Sequence, residues 1–129
     1  MKVYFGNVDS HRKWEVLVRD DNRPGSTPLP LNPRYDLSNH SPDGYAWGYT
    51  GSGPAQLCLA LLADALGDDQ RALRLYQDFK FFLIGGLPQD QGWQISDTIV
   101  RRLADIVEAR QEAQRSATTA LLRGAEEQT

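Results

Sequence analysis

Residues 41–66 read SPDGYAWGYTGSGPAQLCLALLADAL, and this stretch decides the fold. Pro42, Asp43 and Gly44 make a turn: proline presets its backbone angle, aspartate caps locally and glycine accepts positive φ. A strand is expected next, with Tyr45, Trp47 and Tyr49 on one face at period two and Ala46 and Gly48 leaving the other nearly bare. That bare face lets another backbone or helix approach closely. Gly51, Ser52, Gly53 and Pro54 then turn the chain into a helix, with Ser52 or Gly53 as N-cap and Pro54 in the first turn. From 54 to 66 the chain is apolar nearly all round, the mark of a central buried helix, and Gly67 is placed to end it.

Upstream, Val3 and Phe5 alternate with Lys2 and Tyr4, and Trp14, Val16 and Val18 alternate with Glu15, Leu17 and Arg19. These read as two antiparallel strands joined by a polar connection. The span 20–42 carries five prolines and no period, which makes it long for a loop in a compact domain. Leu29, Leu31, Tyr35 and Leu37 are its expected anchors, holding it across the sheet. Downstream, Asp68 and Asp69 open a second helix in which Ala72, Leu75, Tyr76, Phe79, Phe82 and Leu83 recur at helical spacing. Gly85, Gly86, Leu87 and Pro88 stop it. Ser96 is the expected N-cap of a third helix whose buried stripe is Ile99, Val100, Leu103, Ile106 and Val107. Beyond Ala109 the stripe is mostly alanine, an exposed extension fraying toward Thr129. The predicted fold is α+β: a small antiparallel sheet of about three strands covered by about three helices. One compact domain over 1–108 and a helical or frayed extension over 109–129 are expected.

The 129 residues are 40% apolar and 24% charged, ordinary for a soluble globular chain. A formal charge of −3 repels a phosphate backbone, which disfavours general nucleic-acid binding. Cys58 stands alone in the most apolar segment, so no intrachain disulfide forms. No apolar run reaches the roughly 20 residues that span a bilayer, and the first residues do not read as a signal peptide. A cytoplasmic protein without membrane contact is expected.

The pattern S-P-x-G-Y-x-W-G-Y-x-G-S-G-P-A-Q-L from Ser41 to Leu57, followed by Tyr76, Gln77, Phe79, Lys80, Leu87, Pro88 and Trp93, resembles the domain-of-unknown-function family 6166. These are short uncharacterised proteins, often carried on plasmids, phages and integrated elements. The resemblance spans roughly residues 4–103. It implies no activity, and its mobile-element association implies accessory work such as countering host defences.

Each chemical template tested on the central stretch fails at a named residue. The corner of Gly51, Ser52, Gly53 and Gln56 offers free N–H groups to an anion or nucleotide, yet it lacks the lysine of a phosphate loop and the third glycine of a dinucleotide fingerprint. The plainer reading is that the glycines allow a tight crossing. Ser52 occupies an elbow-like position without the G-x-S-x-G pattern, and a hydrolase would need His40 to come together with Ser41 or Ser52 near Asp36. Asp64, Asp68 and Asp69 read as helix ends rather than metal ligands, and no cofactor is implied. Tyr45, Trp47 and Tyr49, with Tyr4, Trp14 and Tyr35 as neighbours, are candidates to grip a partner, with a core role as the plainer reading for Trp47. Arg101 and Arg102 complete that candidate surface, although Asp97 at i, i+4 also fits a solvated, self-screened face. Phe81, Ile84 and the alanine-rich tail are placed to pack on a second copy. The expected function is a non-enzymatic protein-interaction module, with a ligand binder at the Gly51 corner and a hydrolase as the alternatives.

Overall fold

The computed structural model describes residues 1–9, 11, 13–42, 44–82 and 84–127. Strands β1 (Lys2–Val8), β2 (Trp14–Asp20), β3 (Leu29–Pro30) and β4 (Trp93–Ser96) form one antiparallel sheet in the order β3-β2-β1-β4. Helices α1 (Ser52–Leu66), α2 (Asp69–Phe82) and α3 (Asp97–Glu127) complete an α+β fold. No helix among the described residues is long and apolar enough to cross a membrane.

The alternation in β1 leaves open which face turns inward, and a side-chain hydrogen bond marks the answer. Tyr4 is fully buried and donates its hydroxyl to Asp64 of α1 at 2.6 Å, with Lys2 reaching the same carboxylate. Burial first, then that hydrogen bond, raises the phenol pKa. The opposite face carries the pair Phe5 and Leu17, with the Arg19 guanidinium 5.3 Å from the Phe5 ring.

Four strands stand where about three were expected, and the third is not at 45–49. That segment is irregular: it pairs with no strand, and Gly48 adopts φ 85°, outside the range a strand uses. Its bare side does admit close neighbours: a Cβ on Gly48 would sit 2.7 Å from the Gln89 backbone, and one on Gly53 would sit 2.6 Å from Ala46 Cβ. The turn before it brings Gly44 N–H to Ser41 O with Gly44 at φ 108°, while the cap expected of Asp43 lies outside the described residues.

Gly6 lies opposite Trp93 in the β1–β4 register, and a Cβ there would stand 2.2 Å from the indole. Gly6→Ala is therefore expected to push Trp93 off the strand, costing about 2 kcal/mol in a urea melt with a shifted tryptophan emission. A variant as stable as the parent, with unchanged emission, would show that this contact carries nothing.

The loop 20–42 does not lie across the sheet. Residues Leu29–Pro30 extend the sheet edge, and residues 33–40 are tied to α1 and α2. Leu31 is buried and Leu37 half-buried, whereas Leu29 and Tyr35 are exposed. Arg34, at φ 58°, forms bidentate pairs with Asp36 and with Asp69 at the start of α2.

Helix α1 is buried from Gly53 to Ala63 and ends at Gly67, whose left-handed backbone returns its N–H to Ala63 O. Ala72, Leu75, Tyr76 and Phe79 form the buried side of α2. The expectations for the Phe82 side chain and for Leu83 lie outside the described residues, as does that for Thr129. Ser96 caps α3, its hydroxyl accepting from Ile99 N–H at 3.2 Å. The inward stripe of α3 is Val100, Ala104 and Val107. Ile99 and Ile106 were expected in that stripe and instead are 41% and 46% exposed, so α3 carries a second apolar face. Arg71 locks α2 to α3 through Asp105 and Glu108, and its hydrogen bond holds the Glu108 carboxyl below the usual glutamate range.

Candidate functional site

The corner leading into α1 is built by packing. Gly51 is the N-cap, with extended backbone, so Ser52 opens the helix rather than capping it, and no side chain caps this end. A Cβ on Gly51 would lie 2.6 Å from the Tyr49 ring, which explains the glycine. Gly53 is buried against Ala46, and Ser52 is exposed. Gln56 is fully buried with its amide engaged: Oε1 accepts from His40 N–H at 2.8 Å, and Nε2 donates to Ser38 O at 3.1 Å and to Pro33 O. A ligand at this corner would find Gln56 already occupied with the loop.

His40 comes back toward the corner, but not to the serines proposed for it. Its Nε2 lies 3.0 Å from Ser38 Oγ and 2.6 Å from Tyr76 Oη. Among the described residues no hydrogen bond joins Ser41 or Ser52 to a histidine. Asp36 faces Arg34 instead. Asp64 holds Tyr4 and Lys2, Asp68 caps Arg71 N–H at 3.0 Å, and Asp69 holds Arg34, so the three carboxylates do not converge. Burial pushes the Cys58 thiol pKa up, which keeps it unreactive.

The aromatic set divides by burial. Trp47 is wholly inside, stacked on Trp14 at 4.8 Å between ring centroids and edge-on to Trp93 at 5.6 Å, with its indole N–H donating to Gln91 O. It has no face to offer a partner. Tyr45 is half-buried and donates to Leu31 O at 2.7 Å, burial raising its hydroxyl pKa. Tyr4 is engaged with Asp64, and Tyr35 donates to Ser41 O. Tyr49, 43% exposed, keeps an accessible ring. Trp93 was missed as a member of the aromatic group, since a lone tryptophan after Gly92 carries no period. The indole N–H groups of Trp14 and Trp93 are buried without partners, and Trp14 lines a cleft of about 400 Å³ with Val8, Gln89 and Asp90.

The remaining candidates lie on the helical side. Arg101 pairs with Asp97 at 2.9 Å, as the spacing suggested, and Arg102 is exposed. Ile84 is wholly buried, which removes it from any surface, because the short 3-10 turn Ile84–Gly86 folds it under. Phe81 is 67% exposed and rims a groove of about 230 Å³ with Val107, Arg110 and Gln114. Toward the free end of α3, Leu121 is 76% exposed and Leu122 is exposed beside it. With Ile99 and Ile106, five of the exposed large apolar side chains among the described residues stand on α2 and α3.

A family model described as "Family of unknown function (DUF6166)" matches residues 4–108. No curated protein and no solved structure matches the chain.

Proposed function

Since the chain belongs to DUF6166, a family without an assigned function, we propose that it is a non-enzymatic module that acts in the cytoplasm by binding another protein. The observation that carries this reading is the exposed apolar set on α2 and α3, Phe81, Leu121 and Leu122 foremost; Tyr49 is exposed as well. A partner that serves host defence or regulation fits an accessory protein of a mobile element. Arg102 and the ion-paired Arg101 would form the polar rim of such a contact.

Affinity capture of the full chain from its native host tests this. The expected result is one co-purifying protein lost when Phe81→Glu and Tyr49→Ala are combined, with the circular dichroism unchanged. Capture that is indifferent to both substitutions, or no capture at all, counts against the reading. A thermal-shift screen with phosphate and nucleotides covers the rival assignment to Gly51, Ser52, Gly53 and Gln56. A shift abolished by Ser52→Pro would favour that corner instead.

A further inference from the structure

We propose that the second apolar face of α3 pairs with the same face of a second copy, the two helices running antiparallel. This rests on the reading of α3 as an interaction element and names one of its partners.

From Ile99 to Gly124 the face advances in alternating steps of four and three, the heptad spacing of a paired helix. Its first half carries Ile99, Leu103 and Ile106, and its second half carries Ala113, Ala117, Ala120 and Gly124, with Arg110 between. The halves differ in size, and this fixes the direction. In an antiparallel pair centred between residues 111 and 112, Ile99 meets Gly124, Leu103 meets Ala120, Ile106 meets Ala117 and Arg110 meets Ala113. Every layer then combines a large side chain with a small one, so the axes keep one separation along their length, near the 8 Å lower limit of helix packing. A parallel pair would set isoleucine on isoleucine at one end and glycine on glycine at the other, forcing the axes apart.

Three observations agree with this register. Ile99 and Ile106 are exposed, although the same helix buries Val100, Ala104 and Val107 beneath it. Phe81 stands beside Arg110 and Gln114, next to the midpoint of the seam, where the second helix would cover it. Leu121 falls beside the seam, level with Val100 of the second copy, so it too leaves solvent. The seam is about 38 Å long at 1.5 Å per residue. With its flanks and Phe81 it engages about fifteen residues a side, at the small end of specific interfaces. The overhang of α3 is thereby accounted for: residues past the body of one copy lie along the first three turns of α3 in the other. The cost of the register is Arg102 beside Arg123 of the second copy, a like-charge contact on the flank.

The test uses the purified full chain. Sedimentation velocity at about 50 µM, above the micromolar Kd expected for this size class, should give a dimer. Ala117→Glu, exposed in the single copy, should give a monomer of unchanged helicity, and Arg123→Glu should tighten the dimer severalfold. For direction, Ile106→Cys and Ala117→Cys proteins are oxidised separately and mixed; disulfide dimers should form in the mixture and not in either alone, Cys58 being buried. A monomer at that concentration, a dimer that survives Ala117→Glu, or cross-linking within a single variant would each overturn the proposal. Host capture failing while the dimer stands would remove only the functional reading above.

Discussion

Trp47→Ala is expected to lower stability by about 4 kcal/mol, a large share of the 5–15 kcal/mol that holds a domain of this kind together. The side chain is wholly buried, and truncating it opens a void between Trp14 and Trp93 that neither can fill without leaving its own strand. The ring contacts add to this: stacked and edge-on pairs contribute about 0.5–1.5 kcal/mol beyond burial. Thermal melting should fall by about 10–15 °C. Trp47→Phe keeps a ring between its neighbours and is expected to lose less than half as much. A loss below about 1 kcal/mol for the alanine variant would mean that the tryptophan group is incidental to the fold.

Gln56→Leu is expected to cost nearly as much, for the opposite reason. The substitution is apolar, close in size and made in the most apolar helix of the protein, so hydropathy alone favours it. It nevertheless removes the partners of His40 N–H, Ser38 O and Pro33 O together. Each unsatisfied buried backbone group costs about 1–3 kcal/mol, which sets the expected loss at about 3–4 kcal/mol once some groups find water. Limited proteolysis should then cut the loop between 31 and 42 while α1 and α2 survive. Gln56→Glu keeps the acceptor for His40 and places a carboxylate against two carbonyl oxygens, so it should be no better than leucine at neutral pH. Equal melting temperatures for Gln56→Leu and the parent would show that the loop is held by Arg34 and Leu31 instead.

These two side chains also mark what the sequence allowed one to read. Helical periodicity places α1, α2 and α3, because each is long enough for its stripe to be seen, and Gly67 and Ser96 bound them by cap chemistry. The antiparallel pair β1 and β2 is legible from alternation. Tyr45, Trp47 and Tyr49 also alternate, yet a period of two records only which way side chains point. Whether a strand forms depends on pairing with a neighbour, and this segment pairs with none. Two residues of β3 and four of β4 are too few to show a period, and β3 contains Pro30, a residue that argues against strands anywhere but an edge. The clamp by Gln56 was written into the sequence in a weaker form. A lone amide inside an apolar helix must find hydrogen bonds, but its partners lie 16 to 23 residues away in a loop without periodicity. In the stripe expected of α3, Val100, Leu103 and Val107 pack inward while Ile99 and Ile106 stand exposed, since spacing alone does not say how many faces a helix buries.

The gathering of all three tryptophans around Trp47 makes the protein a two-channel optical instrument. Its ultraviolet emission comes from one end of the sheet, while α3, at 31 residues the longest of the helices, contributes most to far-ultraviolet dichroism. The two signals therefore watch different regions, and their coincidence in a melt reports whether those regions unfold as one.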